Sequence, residues 1–369
     1  MVVYLEWDKY EKFVKAAFMA YGVPEEDAEI CTEVLLDADR KGIDSHGANR
    51  LKPIYLDRIE QGIQSPVTDW KVIRETPTTA VLDGADGMGQ VVSYHAMKLA
   101  IKKAKEFGMG MVAVRNSTHY GISGYYTDMA AKEGCIGVSG TNARPSIAPT
   151  FSVENKLGTN PLTWSMPTGE EFPFSFDAAT SIVQRGKIEL YDREGKDTPA
   201  GMVIGRDGQA MTDSSEILDA LVSGDAALAP LGGIGEELAG YKGYNFATIV
   251  EILSAALQGG PFLSALSGIA ADGSKQKYHL GHFFIAIDTE AFMGREVFEE
   301  TAGNILKELR SARKVPGADR IYTAGEKEYE VWQERKVTGL PINKSVQKEF
   351  MTIRDAVDLQ DVFPFEEGA

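Results

Sequence analysis

Apolar positions along this chain follow two different periods. Near the N-terminus they recur at three- and four-residue spacing. "WDKYEKFVKAAFMAYG" (7–22) predicts a helix that stops at Gly22, and "PEEDAEICTEVLLDADRKG" (24–42) predicts a second. The second opens on Pro24 and three acids, which suit the positive end of a helix, and it stops at Gly42. A third helix is expected over "GANRLKPIYLDRIEQG" (47–62), with Pro53 near its start.

From about residue 77 the period shortens. "TTAVLDG" (78–84) reads as a strand, "QVVSYHAMKLAIKKAKEFG" (90–108) as an amphipathic helix and "MGMVAVRNS" (109–117) as a strand. "SGYYTDMAAKEG" (123–134) is helical and "CIGVSGTN" (135–142) a buried strand. Further strands are expected in "NPLTWSMP" (160–167), "FPFSFDAA" (172–179) and "GHFFIAID" (281–288), with a helix in "FATIVEILSAALQGG" (246–260). This alternation implies an α/β domain around a mostly buried sheet. After Asp288 the chain turns helical, most clearly in "REVFEETAGNILKELRSARK" (295–314), and "VFPFEEGA" (362–369) reads as an exposed end. The pattern divides the chain into a helical domain, 1–76 with 289–369, and an inserted α/β domain, 77–288.

Composition narrows the function. Of 369 residues, 43% are apolar and 25% charged, as in ordinary globular proteins, and the formal net charge is −16. No run of five Lys/Arg occurs, so nucleic acid and anionic membrane surfaces are poor partners; an anionic small molecule remains compatible with a few concentrated cations. Cys31 and Cys135 form no disulfide framework or zinc motif, and "MVVYLEWDKYEKF" (1–13) lacks the apolar core of a signal peptide. These features predict a cytoplasmic protein with no metal site.

The common nucleotide fingerprints are missing. "GADGMGQ" (84–90) has the wrong glycine spacing for a dinucleotide turn and reads as a tight loop between strand and helix. There is no P-loop, no G-x-S-x-G and no H-E-x-x-H.

Chemistry concentrates in "KGIDSHGANRL" (41–51), which holds Asp44, Ser45, His46 and Arg50. An imidazole exchanges protons near neutral pH, and a guanidinium grips a carboxylate through two parallel hydrogen bonds. The same residues also read as a solvated helix start capped by Asp-Ser. His119, in "NSTHYGISGYY", follows a strand on the side where α/β ligands bind. His95 reads as a packing residue within its helix, and His279 and His282 either cap a strand or meet a ligand. "NKLGTNPLTW" (155–164) makes a polar turn at Gly158, Thr159 and Asn160. "FSFDAATSIVQRGKI" (174–188) sets an acid at a strand end before small residues and a helix, and "GYKGYNF" (240–246) places Lys242 among glycines and tyrosines.

In this order, "DSHGANR", "STHYG", "GTNPL", "FDAATS", "YKGY", "LGHFFIAID" and "PGADRIYTAGE" closely resemble the malate/L-lactate dehydrogenase family of the non-Rossmann type. That family includes ureidoglycolate, sulfolactate and diketogulonate dehydrogenases and a cyclic imino acid reductase. The resemblance covers nearly the whole chain. It implies a homodimer that moves hydride between NAD, or NADP, and a small 2-hydroxy/2-oxo acid. It also implies a nicotinamide-binding α/β domain with a mixed sheet, plus a helical domain built from both chain ends.

By position, Ser45, His46 and Arg50 would line the substrate pocket, Arg50 taking the carboxylate, with His119 a second acid–base candidate. Asn142, Thr159, Asp177, Ala178, Ala179, Lys242, His282, Gly325 and Glu326 would contact the cofactor. Ala143, in "GTNARPS", stands where some relatives have a hydroxyl. Arg185 either meets a 2′-phosphate or pairs with an acid. Malate/oxaloacetate is the favoured couple. A cyclic imine carboxylate, another 2-oxo acid such as ureidoglycolate or diketogulonate, and non-catalytic nucleotide binding are the alternatives.

Overall fold

The computed structural model describes residues 2–360 and Phe363. Its strands in chain order are β1 (Val3–Leu5), β2 (Lys71–Glu75), β3 (Thr79–Asp83), β4 (Met109–Ser117), β5 (Cys135–Thr141), β6 (Leu162–Met166), β7 (Phe174–Ala178), β8 (Val203–Gly205), β9 (Ala226–Leu228), β10 (Leu280–Asp288) and β11 (Leu340–Ile342). The helices are α1 (Trp7–Ala20), α2 (Glu25–Arg40), α3 (Asp57–Glu60), α4 (Gly89–Phe107), α5 (Ser123–Lys132), α6 (Arg185–Arg193), α7 (Ser214–Ser223), α8 (Gly240–Ala255), α9 (Arg295–Ser311), α10 (Glu326–Thr338) and α11 (Lys344–Ala356). None of the described helices is long and apolar enough to cross a membrane.

A seven-stranded mixed sheet, in the order β2-β3-β4-β10-β5-β6-β7, forms the centre. Only β3 and β4 pair in parallel; β10, late in sequence, enters between β4 and β5 and pairs antiparallel with both. One face is covered by α4 and α5. Ala96, Ala100 and Ala104 of α4 are small enough to bring the helix down onto Val112, Val114, Phe284 and Ala286. A Cβ on Gly110 would lie 2.4 Å from the Ala100 carbonyl oxygen, so only glycine permits that approach. On the other face α8 sets Val250 against Val138 and Phe283.

The two chain ends share one core. β1 pairs antiparallel with β11, Val3 opposite Ile342. Tyr10, Phe13, Val14, Ala17 and Phe18 recur along one face of α1 and meet Leu35 and Leu36 of α2 and Val346, Phe350 and Ile353 of α11. Phe350 lies 4.8 Å from Phe13 and 5.9 Å from Tyr10, ring centre to ring centre. Phe363 is buried there too, against Phe13, so this position of the expected exposed end is core; Val362 and 364–369 lie outside the described residues.

Three other expectations change. The single helix over 47–62 is instead a tight turn at Ala48–Arg50, wide π-type turns over Leu51–Leu56 and the short α3. Pro53 sits inside the wide segment, where its missing N–H breaks the α ladder. β2 carried no periodic signal because all five of its residues are exposed on an edge. A small lobe of α6, β8, α7 and β9 has its own core of Ile188, Val203, Ile217 and Leu228; α6 is the helix expected after "FDAATS", and the other three elements carry no expectation from the sequence.

Because Phe350 joins three elements with no exposure, Phe350→Ala is expected to cost about 3–5 kcal/mol of unfolding free energy. Urea denaturation measures this. A loss under 1 kcal/mol would mean that the shared core is not what holds the chain ends.

Candidate active site

The sheet delivers His119 from the end of β4, and α2 delivers the 44–50 loop from its C-terminal end. Two glycine contacts bring these strands of chain together. Gly121, at φ +83°, presses its backbone on α2, where a Cβ would lie 2.4 Å from Val34 Cγ1. Gly89, at the start of α4, packs on the Thr118 and His119 carbonyls, and Thr118 Oγ1 accepts from Gly89 N–H while donating to the Gly87 carbonyl. The glycines of "GADGMGQ" thus set His119 in place, as a turn and not as a phosphate loop.

His46 and His119 lie face to face, ring centres 5.8 Å apart and 18° from parallel. Ser45 Oγ is 2.8 Å from His46 Nδ1. Tyr55 Oη is 2.8 Å from His119 Nδ1, and the Gly121 N–H donates to the same nitrogen at 3.3 Å, which puts the proton of the neutral ring on Nε2. Arg50 Nε donates to the Ser45 carbonyl at 2.5 Å, leaving the terminal nitrogens for a ligand. The Asp-Ser cap is not formed: the Ala48 N–H donates to Asp39 Oδ2, Ser45 Oγ lies against His46, and Asp44 is bound by Arg335.

Two further guanidiniums, which sequence reasoning missed, bear on this pair. Arg58 lies 4.6 Å over the Tyr278 ring and carries its charge towards His119, and both Arg144 and Arg50 act on Arg58. Among the described residues none of Arg50, Arg58 and Arg144 has a carboxylate within 4 Å, although the half-buried Glu349 is near enough to Arg50 to feel its charge. Removal from water, with Arg50 adding to it, pushes His46 down to about 4. Removal from water, then His46, Arg58 and Arg50, hold His119 well below its usual value. The site is a pair of neutral imidazoles under uncompensated positive charge, an arrangement suited to an anion with a reacting oxygen. The signal for Tyr55 and Arg58 lay in "PIYLDRI", whose irregular winding hid which side faces the histidines.

A cleft of about 510 Å³ runs between α2, the start of α5, β7 and α10, with Ile43, Ile122, Gly124, Ser175, Asp177 and Gly325 on its wall. Asp177 accepts from Gly124 N–H at 2.7 Å and from Thr163 Oγ1 at 2.8 Å while remaining exposed. A Cβ on Gly325 would meet the Pro173 carbonyl oxygen at 2.6 Å. Nearby, Ser181 Oγ is buried without a partner, and Thr159 is joined to Thr180 through its carbonyl only. Ala178 and Ala179 are half-buried beside them, and Lys242 is exposed at the start of α8, whose N-terminus has no side-chain cap. These free hydroxyls, amides and the ammonium fit the ribose and phosphate groups of a dinucleotide.

Three of the expected cofactor contacts are already engaged within the fold. Both nitrogens of His282 are bonded, to Thr141 and Ser117 hydroxyls at 2.7 Å, its ring stacks on Tyr120, and burial holds it down to about 3. Glu326 binds Arg320 and the Thr323 N–H. Asn142 accepts from Gly281 N–H at 2.8 Å and is fully buried. Of the remaining histidines, His95 stacks on Trp70 and His279 pairs with Asp86 at 2.6 Å.

The model of one protein family, described as malate/L-lactate dehydrogenase, matches residues 5–351. The chain belongs to this family. It is 44% identical to malate dehydrogenase of Pyrococcus horikoshii, covering 96% of this chain and 95% of that one. It is 37% identical to L-sulfolactate dehydrogenase of Methanocaldococcus jannaschii over 96% of this chain and 97% of that one. The crystal structure of malate dehydrogenase from Entamoeba histolytica superposes with a TM-score of 0.94 at 42% identity, covering 98% of this chain and all of that one. The protein is thus a dehydrogenase, and the family implies a nicotinamide cofactor.

Neutral histidines at this site have a direct signature. In ¹⁵N-resolved spectra of the ligand-free enzyme, His46 is expected to charge only near about 4 and His282 near about 3, and His119 to titrate well below an ordinary imidazole. A midpoint near 6.5 for His46 or His119 would remove the electrostatic picture drawn here.

Proposed function

We propose that this dehydrogenase interconverts a small 2-oxo dicarboxylate and its 2-hydroxy acid, oxaloacetate and malate being the favoured couple, with NAD. The observation that carries the reading is the set of unpaired guanidiniums, Arg50, Arg58 and Arg144, around two neutral histidines. One carboxylate needs one fork; a second anionic group gives the other cations a partner. Arg50 takes the carboxylate next to the reacting carbon, and Arg58 and Arg144 favour the distal acid.

The dianion also prepares the acid. Its charge offsets the guanidiniums that depress His119, so the ring gains a proton as substrate binds. In the reductive direction His119 gives its Nε2 proton to the oxo oxygen, and Tyr55 Oη then accepts from Nδ1–H. In the oxidative direction the ring carries its proton on Nδ1, donating to Tyr55 Oη, so that the free Nε2 takes the hydroxyl proton. His46, fixed by Ser45, holds the same oxygen. The cofactor, when bound, supplies or accepts the hydride. Asp177, Thr159, Ser181, Gly325 and Lys242 would hold it, with the Ala178–Ala179 backbone alongside.

NAD is favoured over NADP because acids outnumber cations on the cleft wall, Glu33, Asp37, Asp128, Glu171, Asp177 and Glu328 against Arg40, Lys41 and Lys132, and Arg40 and Lys41 are already paired with Glu33, Asp37 and Asp128. Arg185, the cation after "FDAATS", is paired with Glu189 at 3.0 Å. We also propose a homodimer in the cytoplasm. Its support is the exposed apolar face of α8 (Phe246, Ile249, Ile252) with Phe292 and Met293. Residues 1–76 with 289–369 would then supply the substrate loop and the Phe292–Met293 part of the dimer face, and 77–288 the cofactor site, His119 and the α8 part of that face.

Following absorbance at 340 nm, oxaloacetate is expected to turn over faster than pyruvate or a cyclic imine, and with NADH in preference to NADPH. Arg50→Lys, which loses the two-pronged grip, should raise KM for the oxo acid roughly 10- to 100-fold. For reduction, kcat/KM should decline with rising pH from below 6.5, while kcat holds to higher pH because the bound dianion raises His119. Preference for a cyclic imine, or identical limbs in the two profiles, would overturn the reading. Sedimentation at twice the chain mass, reduced to one by Ile252→Asp, tests the dimer.

A further inference from the structure

We propose that Arg335, in the last turn of α10, is a positioning residue of the active site: it clamps the loop that carries Ser45, His46 and Arg50. The proposal rests on the placement of His46 and Arg50 in the substrate pocket.

Arg335 touches none of the groups assigned to substrate. Its Nη1 donates to the Asp39 carbonyl at 2.5 Å and to Asp44 Oδ1 at 2.5 Å, and its Nη2 donates to Asp44 Oδ2 at 3.0 Å. One planar fork therefore ties the end of α2 to the first residue of the loop. Three residues on, the loop is held from beneath. Asp39 Oδ2 accepts the Ala48 N–H at 2.8 Å and the Tyr10 hydroxyl at 2.6 Å. A Cβ on Gly47 would lie 1.8 Å from Asp39 Oδ1, so the loop backbone rests directly on that buried carboxylate. Ser45 and His46 lie between these two anchors, and Arg50 N–H bonds back to the Gly47 carbonyl at 2.9 Å.

Arg335 is itself fixed from the N-terminal end. Trp7 Nε1 donates to its carbonyl at 2.7 Å, Trp7 meets Trp332 edge-on at 5.4 Å, and the Arg40 guanidinium lies over both rings. Gly325, Glu328, Tyr329, Trp332 and Gln333 line the cofactor cleft, so the same helix lies along the cofactor wall for most of its length and meets the catalytic loop at its last turn.

The Asp44 side chain is 57% exposed against 13% for Arg335, so removing charge on the open Asp44 side costs little stability. The consequence of the pair is geometric. Lysine cannot replace the fork, because one ammonium on a flexible stem does not hold the carbonyl and both carboxylate oxygens in one plane. Freed at Asp44, the loop keeps its buried anchor at Ala48 but no longer fixes the His46 ring against His119.

The test is steady-state kinetics on the full chain with Arg335→Ala, Arg335→Lys, Asp44→Asn and the Arg335→Ala/Asp44→Asn double variant. NADH affinity by fluorescence titration and Tm are measured alongside. Each single change is expected to lower kcat/KM for the oxo acid roughly 10- to 100-fold, with Arg335→Lys no better than Asp44→Asn. NADH affinity and Tm should stay at wild-type values, and the double variant should be no worse than the poorer single. Multiplicative losses, undiminished turnover in Asp44→Asn, or NADH affinity falling in step with turnover would overturn the clamp. Should Arg335→Ala fail to fold, Asp44→Asn at the exposed side of the pair decides alone. His46→Ala and Arg50→Ala separate the two ideas. If they abolish turnover while the clamp variants do not, only the clamp falls; if they leave turnover intact, the substrate-pocket reading falls with it.

Discussion

The antiparallel pairing of β1 with β11 is the constraint on which the rest of the molecule depends. It brings Val3–Leu5 beside Leu340–Ile342 across almost the whole length of the chain. Once that pairing forms, α1 and α11 close a single apolar core around Phe13 and Phe350, and α10 is laid along α2. The 44–50 loop then has a floor, the Asp39 carboxylate, and a lid, the Arg335 fork. Burial pushes Asp39 up to about 7, against the pull of Tyr10 and the Ala48 amide, which reflects how completely the core encloses it.

The sheet makes a matching demand on the other half of the site. β10 must enter between β4 and β5, and its insertion fixes where β4 ends and where His119 emerges. Beyond that point glycines do the positioning: at Gly89 and Gly121 the backbones approach more closely than any side chain allows. His119 and His46 therefore meet across the junction of two separately packed cores. Their neutrality follows from that enclosure first and from the charges of Arg50 and Arg58 second.

Arginine placement separates binding from structure in this molecule. Arg310, Arg320 and Arg335 are all spent on carboxylates of the fold, Glu170, Glu326 and Asp44, and shape its surface. Arg50, Arg58 and Arg144 have no such partner, and the charge they leave exposed is what an anionic substrate completes. A chain with a net charge of −16 attracts such a substrate only through a local concentration of this kind.

By itself the sequence determined the alternation of helix and strand, because amphipathic periods such as those of α1 and α4, and a continuous apolar run such as that of β10, are local properties of the side chains. It also marked Ser45, His46, Arg50 and His119, since imidazole and guanidinium at a turn have few purely structural uses. It did not reveal β2, whose residues face water, or the wide turns around Pro53, which hid Tyr55 and Arg58. Nor did it reveal that the polar atoms of His282 and Glu326 are engaged within the fold by Ser117, Thr141, Arg320 and Thr323. Only the tertiary structure decided which polar groups remain free. Hydrogen-bond saturation depends on partners distant in sequence, and a chain read residue by residue carries no record of them.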